Sequence, residues 1–350
     1  MTQDFQYKIE NIVNRNPQAD DSEILFQLKQ LIYETEFQTN DSCEAKNIGE
    51  IIRQFNEETP LHTIIQTGFN EFDAQFCGFN SGEFVVVGGR PSMGKTQFLI
   101  NLSLHISQSF PVLYITLDLS EFLLTNRFIS SVTGIPVHNI LQNDLSEKQK
   151  KNLSTIGDAF AKHQLFISDS GNHSIEAIKA HCQKQIHANG VKVIVVDYLQ
   201  LMNSYKQRKY RELEVSHISR ELKLMAKEND VCVVASSQLS RAVEGRYGLE
   251  GKIPQLSDLR ESGAIEQDAD KVIFIHRPEY YRCFEDSKGN SLVNLAEIIV
   301  AKNRNGRLGS FYLMRDEHFT NFSNINYKQK NNFTFSSDRL FELEEDVMPF

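Results

Sequence analysis

The residues with the clearest chemical signal form a glycine-rich loop, Gly89-Arg-Pro-Ser-Met-Gly-Lys-Thr96. The loop follows the apolar run Phe84 to Val87 and precedes the apolar run Phe98 to Ile106, which predicts a strand, a loop and a helix in that order. Glycines let backbone amides turn towards a phosphate, and the start of a helix favours an anion. We expect Lys95 to reach the β- and γ-phosphates of ATP as a catalytic residue, and the Thr96 hydroxyl to ligate Mg²⁺. The residues expected to bind the nucleotide are Gly89, Arg90, Pro91, Ser92, Met93, Gly94, Lys95 and Thr96.

Such a loop needs an acidic residue elsewhere in the chain to position the metal. Asp197 follows the apolar run Val193 to Val196, which predicts an aspartate at the carboxyl end of a buried strand. An aspartate at a strand end is by itself usually a cap or turn residue. Because the chain also contains the phosphate loop, we predict that Asp197 binds the nucleotide and, with Thr96, forms the Mg²⁺ site.

The segments that must position these residues are apolar runs that alternate with helical patterns from Thr67 onwards. Runs without polar alternation are typical of parallel strands covered on both faces. The predicted strands are Phe84 to Val87, Val112 to Thr116, Gln164 to Ile167, Val191 to Val196, Val231 to Ala235 and Lys271 to Ile275. Two later segments, Leu295 to Ala301 and Gly309 to Leu313, predict a closing antiparallel pair. The expected fold is an α/β domain with a mainly parallel central sheet.

The chain outside this domain is polar. We predict a small helical N-terminal region over residues 1–43, a linker helix and connection over 44–63, the α/β domain over 64–324, and an acidic, disordered tail over 325–350. The apolar stripe of the linker helix consists of Ile48, Ile51, Ile52 and Phe55. Two interpretations of the N-terminal helices stay open: they pack on one another as a cap, or they dock on a neighbouring subunit.

Composition narrows the class of protein. With 40% hydrophobic and 24% charged residues, the chain of 350 residues is typical of a globular protein. No run approaches the roughly 18 apolar residues of a membrane span, and the first residues do not resemble a signal peptide. The five cysteines are widely spaced and form no metal motif. We expect a cytoplasmic protein with reduced, mostly buried thiols and no membrane partner. A net charge of −9 means that any contact with DNA must come from a local basic surface.

Several ordered blocks of the sequence resemble the motor domain of the bacterial DnaB-type replicative helicases. They cover roughly residues 64 to 324 and occur in the family's order. The blocks are Thr67 to Asp73, Arg90 to Thr96, Asp197 to Met202, Ala235 to Arg241, Ser257 to Asp270 and Lys302 to Gly306. The resemblance implies a RecA-like fold, a ring that is usually hexameric, and ATP-driven movement on single-stranded DNA in the 5′ to 3′ direction.

The resemblance also implies roles for further catalytic residues. Gln238, at the end of a predicted strand, would sense the γ-phosphate through its side-chain amide. Lys302 and Arg304 alternate along a predicted strand and therefore face the same side. In this family such cations reach the ATP of the neighbouring subunit, with Arg304 as the arginine finger. Their other interpretation is a solubilising pair on an edge strand.

Candidate DNA-binding residues come from three segments. The block that contains Arg260, Glu261 and Gly263 corresponds to a loop that lines the central channel in relatives, where amides and a guanidinium hold phosphates. A basic loop with Arg208 and Lys209 is a further candidate, although such charge runs are more often solvated connections. Arg241 carries the same open question, as does Arg246 in the same loop.

The sequence departs from the family in two places, and its acidic end invites a separate comparison. A catalytic glutamate is replaced by Asp118, whose shorter side chain predicts slower hydrolysis. The N-terminal region is too short for the family's helical collar, which puts primase recruitment in doubt. The acidic end, Glu344 to Phe350, resembles a tail that docks on a replisome partner, while a plain solubilising tail remains the alternative. Asp118 and the short N-terminal region keep a second function open. This function is an ATP-dependent ring assembly or loading module with little unwinding activity.

Overall fold

The computed structural model describes residues 63–325, apart from 170, 206–209, 249 and 260–262, together with short pieces of the first 62 residues. The chain forms two compact units, Met1–Leu61 and His62–Phe350. In the first unit, the described residues with regular structure are helical, among them 7–9, 27–28 and 48–49. The predicted boundaries at residues 43 and 63 stay predictions, and the predicted tail beyond residue 325 lies outside the described residues.

The second unit is an α/β domain. Its helices are α1 (Asn70–Phe76), α2 (Lys95–Ile106), α3 (Glu121–Thr133), α4 (Val137–Leu141), α5 (Glu147–Phe160), α6 (Ile175–Asn189), α7 (Arg211–Glu228), α8 (Ala242–Gly245) and α9 (Gly263–Asp268). Its strands are β1 (Ile64–Ile65), β2 (Phe79–Asn80), β3 (Phe84–Gly89), β4 (Val112–Thr116), β5 (Leu165–Asp169), β6 (Val193–Asp197), β7 (Cys232–Gln238), β8 (Lys271–His276), β9 (Leu295–Asn303), β10 (Gly309–Arg315) and β11 (Phe322–Asn324).

Nine of these strands form one sheet in the order β11-β10-β9-β8-β3-β7-β6-β4-β5, and β1 pairs with β2 separately. The strands from β8 to β5 are parallel to one another, while β9, β10 and β11 add antiparallel pairs at one edge. This arrangement confirms the predicted mainly parallel sheet. The predicted closing pair is present as β9 and β10, and the short strand β11 was not predicted.

The central strands are buried because both faces of the sheet are covered. Successive residues of β3 alternate between two apolar cores: Val85 and Val87 belong to one, and Phe84 and Val86 to the other. A parallel strand buried on both faces has no polar alternation, which is why the apolar runs predicted these strands well. The carboxyl ends of β3, β4, β6 and β7 therefore meet at one edge of the sheet, and this edge carries the candidate site.

The described cysteines agree only partly with the expectation of mostly buried thiols. Cys77, Cys182, Cys232 and Cys283 are free thiols, but only Cys182 and Cys232 are buried, so the prediction of mostly buried thiols is half right. Burial raises the pKa of Cys182 to about 12.

None of the helices in the described part of the chain combines the length and apolar character of a membrane crossing.

Candidate nucleotide-binding site

The glycine-rich loop joins β3 to α2 as the sequence predicts. Ser92 and Gly94 both have positive φ, at 65° and 97°, and Gly94 caps the start of α2. A Cβ on Gly94 would lie 2.8 Å from ring atoms of both Phe319 and Phe322. Glycine is therefore required at this position both by its conformation and by its close neighbours. The backbone of the loop turns tightly at the start of a twelve-residue helix, which is the geometry of a phosphate cradle.

Lys95 is the first residue of α2, and its side chain lies along the loop. Its Nζ donates to the carbonyl oxygens of Gly89 and Arg90, at 2.8 and 3.2 Å. Burial lowers the pKa of Lys95 to about 8, while the charge of Asp197 opposes this and that of Arg90 adds to it. The ammonium thus lies in a poorly solvated position beside Asp197, where the negative charge of a phosphate would favour its protonated form. Thr96, the next residue of the helix, is half-buried.

Asp197 ends β6 and is 5% exposed. Its two carboxylate oxygens are held by different strands, because the Ser236 hydroxyl donates to Oδ1 at 2.5 Å and the Tyr114 hydroxyl donates to Oδ2 at 3.1 Å. Burial, together with the charge of Asp197, raises the pKa of Tyr114 well above its ordinary value, so Tyr114 stays a donor. The carboxylate is fixed in orientation and keeps acceptor capacity for a ligand.

Arg90 lies within the loop, but its side chain turns away from the cradle. It is 5% exposed; Nη1 donates to the carbonyl oxygen of Leu239 at 2.8 Å, and Nη2 lies 2.6 Å from Glu244 Oε1. The guanidinium therefore links the loop to the segment that follows β7. The prediction that Arg90 binds the nucleotide now depends on its backbone rather than on its side chain.

Asp118 stands at the tip of a tight turn that follows β4. The Thr116 hydroxyl closes this turn by donating to the Leu119 carbonyl oxygen at 2.7 Å, and the Leu117 amide donates to the Asp197 carbonyl oxygen at 2.9 Å. Asp118 is exposed, and its charge, with that of Asp197, adds to the effect of burial in raising the pKa of Tyr198. The turn thus brings Asp118 to the same edge as Asp197, facing solvent.

Gln238 is the last residue of β7, and its backbone is positioned by Gln200, a residue of the block Asp197 to Met202 to which the sequence assigned no role. The backbone amide of Gln238 donates to Gln200 Oε1 at 3.1 Å, and Gln200 Nε2 donates to the Ser237 hydroxyl at 2.8 Å. Within the described part of the chain, the side-chain amide of Gln238 makes no hydrogen bond. The strand end is therefore held by Gln200 while the Gln238 side chain remains available for a ligand.

Lys302 and Arg304 lie at the end of β9, away from the loop. Lys302 is in the strand, whereas Arg304 is in the turn just after it, so the prediction that both lie in the strand is wrong by one residue. Both side chains nevertheless end at the last turn of α9. Lys302 Nζ donates to the carbonyl oxygens of Glu266 and Gln267, and Arg304 Nη2 donates to that of Gln267. Neither side chain contacts residues 89–96 among the residues that the structure describes.

The DNA-binding candidates are only partly described. Arg208, Lys209, Arg260 and Glu261 lie outside the described residues. Gly263 is exposed and begins α9, and a Cβ built there would meet nothing within 4 Å. Arg241 is exposed at the start of α8. Arg246, by contrast, pairs with the buried Asp258, so a structural role accounts for it.

Residues beside the loop that the sequence did not predict include Arg277 and Phe319. Arg277 Nη1 donates to the Ser92 carbonyl oxygen at 2.9 Å, and its guanidinium carbon lies 4.5 Å from the centre of the Phe319 ring. The guanidinium of Arg315 lies over the same ring at 5.1 Å. Burial and the neighbouring charge of Arg315 lower the pKa of Arg277. These residues are far apart in the chain and form no motif, so only the fold brings them to the loop.

A family model described as the DnaB-like helicase C terminal domain matches residues 64–324. The chain belongs to this family. It is 37% identical over 285 residues to the replicative DNA helicase DnaB of Rickettsia conorii, an alignment that covers 75% of this chain and 57% of that protein. The chain thus spans little more than half the length of this relative.

Two solved structures extend the comparison of this DnaB-like helicase domain. One, described as a DnaB-like replicative helicase and its interactions with primase, has a TM-score of 0.75 at 30% identity and covers 93% of this chain and 76% of that one. The other, described as an ATPase domain, has a TM-score of 0.73 at 33% identity, over 81% of this chain and 100% of that one. The resemblance carried by the motifs is confirmed, and so is the RecA-like α/β fold. The roles of individual residues stay predictions.

Proposed function

We propose that the chain is the motor of a ring-forming, ATP-dependent DNA helicase of the replicative type, which moves 5′ to 3′ on single-stranded DNA. The observation that supports this most is the position of Arg304. Its side chain is 45% exposed and lies beside α9 instead of beside the chain's own loop. Such a guanidinium is suited to the ATP of a neighbouring copy, where it stabilises charge that develops during phosphoryl transfer. Hydrolysis then depends on assembly into a ring, which we propose is hexameric.

Within one copy, the loop 89–96 would hold the phosphates of ATP. Lys95 would exchange its contacts with loop carbonyls for contacts with the β- and γ-phosphates. The hydroxyl of Thr96 and the carboxylate of Asp197 are oxygen donors, which are the ligands that Mg²⁺ prefers. Mg²⁺, when bound, neutralises phosphate charge, and the hydrogen bonds from Ser236 and Tyr114 would keep the Asp197 carboxylate oriented towards it.

The hydrolysis step would use groups from the same edge of the sheet. Asp118 would accept a hydrogen bond from the attacking water and orient it. Gln238, whose backbone is held by Gln200, would donate its side-chain amide to the γ-phosphate. Lys302 and Arg304 of the neighbouring copy would supply positive charge from the other side. The site is therefore divided between two copies of the chain.

Contacts with single-stranded DNA would come from local positive groups and amides, because the net charge of the chain is −9. The proposed residues are Arg260, Glu261, Gly263, Arg241, Arg208 and Lys209. We propose that they bind phosphates without reading bases. In a ring, such contacts would repeat around the central channel, which suits movement along a strand of any sequence.

A groove at one edge of the sheet supports the assembly of copies. It has a volume of about 410 Å³, lies between α3, α5 and the edge strand β5, and is lined by apolar groups that include Phe128, Ile129 and Ile156. The linker stripe that begins at Ile48 offers four apolar residues at helical spacing, and Ile48 itself is 68% exposed. We propose that this groove receives the linker stripe of a second copy, which selects the docking interpretation of that helix.

The remaining proposals concern the rest of the chain. We propose a cytoplasmic location, consistent with the free thiols of the described cysteines. For residues 344–350 we retain both interpretations, a solubilising tail and a docking peptide for a replisome partner. Deletion of these residues distinguishes them: unchanged unwinding in a purified system that contains the partner would favour the solubilising tail.

Strand displacement from a forked DNA with a 5′ tail tests the proposed function. We expect ATP-dependent displacement by the wild-type protein, a requirement for Mg²⁺, and no displacement from a fork that offers only a 3′ tail. Vigorous ATP hydrolysis with no displacement from either fork would reject the helicase function and favour the assembly or loading module.

A further inference from the structure

Asp270 connects four parts of the domain at the base of the proposed arginine finger. It is 6% exposed and immediately precedes β8. Its Oδ1 lies 3.3 Å from Arg304 Nη1, and its backbone carbonyl oxygen accepts the Arg304 amide at 2.9 Å. Its Oδ2 accepts the amide of Phe84 at 2.8 Å and lies 2.6 Å from Lys223 Nζ. Asp270 thus joins β8 to the turn that carries Arg304, to β3 and to α7.

The second support of Arg304 is the carboxyl end of α9. The last carbonyl groups of a helix carry partial negative charge and lack partners within the helix, so they attract cations. Arg304 and Lys302 both donate to these carbonyls. Burial, followed by the charge of Arg304, lowers the pKa of Lys302. The two cations are therefore held together at one helix end in spite of their mutual repulsion.

These contacts orient the guanidinium without using all of it. Arg304 has five N–H donors. Asp270 and Gln267 accept from its two terminal nitrogens, one each, and nearly half of the side chain remains exposed. A group held in this way has donors left for a phosphate, and its orientation is set before the phosphate arrives.

We propose that Asp270 is a positioning residue for the arginine finger, acting with the carboxyl end of α9 to aim Arg304 at the ATP of the neighbouring copy. The proposal rests on the proposed function, in which Arg304 acts in trans.

The first test is the steady-state kinetics of an Asp270→Asn variant with saturating single-stranded DNA. Asparagine keeps an acceptor for the Phe84 amide but removes the charge that holds Arg304. We expect kcat for ATP hydrolysis to fall on the order of 10- to 100-fold, as displacement of a positioned group does, with KM and nucleotide-binding stoichiometry unchanged. The control is Lys179→Met, which breaks a 2.6 Å ion pair with Glu221 on the same helix α7 but does not touch Asp270. It should match the wild type.

A mixing experiment separates positioning from a general defect. If Asp270 acts through Arg304, mixed rings of Asp270→Asn and Lys95→Ala regain ATPase activity, because the Lys95→Ala copies carry an intact Arg304 and Asp270. Mixed rings of Asp270→Asn and Arg304→Ala then stay inactive. If the variant instead damages its own phosphate loop through β3, mixed rings with Arg304→Ala regain ATPase activity, because the Arg304→Ala copies carry an intact loop. Mixed rings with Lys95→Ala then stay inactive, and this result overturns the proposal. Unchanged kcat in Asp270→Asn overturns it as well.

Two further comparisons keep the outcomes distinct. If Lys95→Ala and Arg304→Ala do not repair each other, the trans finger of the proposed function is rejected, whatever Asp270 does. If mixed rings of Lys95→Ala and Arg304→Ala regain ATPase activity but mixed rings of Lys95→Ala and Asp270→Asn do not, only the positioning role of Asp270 is rejected. Should Asp270→Asn fail to fold, Lys223→Met decides: a several-fold loss of kcat, repaired by Lys95→Ala, supports the proposal, and wild-type kinetics overturn it.

Discussion

The Ser236 hydroxyl donates a hydrogen bond of 2.5 Å to Asp197 Oδ1 across the neighbouring strands β7 and β6. The bond fixes the orientation of the carboxylate at the edge of the sheet where the phosphate loop begins. A carboxylate that is already oriented binds a metal ion more tightly than one that must be ordered first.

We expect Ser236→Ala to raise the Mg²⁺ concentration needed for half-maximal ATP hydrolysis by about tenfold, the lower end of the effect of losing a group that orients a metal ligand. A Mg²⁺ titration of the ATPase rate measures this. Ser219→Ala is the matched control, because the Ser219 hydroxyl is buried without a hydrogen-bond partner in the described residues. Equal Mg²⁺ requirements for the two variants would show that Ser236 does not support the metal site.

We expect Asp118→Glu to raise kcat for ATP hydrolysis by about tenfold, a part of the roughly 10²- to 10⁴-fold that a well-placed general base contributes. The longer side chain would bring the carboxylate closer to the attacking water from the tip of the Thr116 turn. Glu121→Gln, at the exposed start of α3, should leave kcat unchanged. Turnover that stays the same or falls in Asp118→Glu would remove the argument that the aspartate slows hydrolysis.

We expect the affinity for ADP to depend on the protonation of Lys95. Its pKa of about 8 in the free protein means that the ammonium is charged below this pH and increasingly neutral above it. Bound phosphate raises this pKa, so binding takes up a proton at high pH. The Kd should be flat below pH 8 and rise about tenfold per pH unit above it.

Isothermal titration calorimetry from pH 7 to 9.5 measures this dependence, with Lys95→Arg as the control because a guanidinium stays charged throughout. The variant binds with its own affinity, but its Kd should not rise above pH 8. Identical pH profiles for the two proteins would show that Lys95 is not the group responsible.

We expect Ile129→Asp to weaken ring assembly by at least about tenfold, because it adds a charge to the apolar groove that would receive the linker stripe. Mass photometry in the presence of Mg²⁺ and a non-hydrolysable ATP analogue measures the oligomer distribution. The control is Val132→Asp, on the same helix but 50% exposed and not part of the groove lining. Normal rings of Ile129→Asp would mean that the groove is not an assembly surface.

Much of the sheet was predictable from the sequence, and the reason is burial. The strand Val112–Thr116 was predicted with its observed bounds, because all five of its residues are buried and a strand covered on both faces is mainly apolar and β-branched or aromatic. Strand β7 extends three residues beyond the apolar run Val231 to Ala235, through Ser236, Ser237 and Gln238. Those residues are polar since they face the site, so the apolar pattern ended early. Strand β11 was missed because a three-residue edge strand has no periodic pattern.

The candidate site was predictable where a short motif carries it. Residues 89–96 and Asp197 meet at one edge of the sheet because parallel strands share a carboxyl edge. The residues that hold them were not predictable. Ser236 and Tyr114 are polar residues inside apolar strands, a signal that indicates a buried partner without naming it. Arg277 contacts the loop from a distant part of the chain, which no local pattern records. Asp270 lies within the block Ser257 to Asp270, but that block gives no signal for its contacts with Arg304 and Lys223.

We propose that each ATP site is completed by a neighbouring copy of the chain. Mixing two inactive proteins, Lys95→Ala and Arg304→Ala, tests it most directly through the ATPase rate with single-stranded DNA. Each variant alone should lose on the order of a thousandfold in rate, within the range of an arginine finger. In mixed rings, an intact loop next to an intact finger should restore a substantial fraction of wild-type activity. If every mixing ratio stays as inactive as the separate variants, while mixed rings are shown to form, the shared site is contradicted.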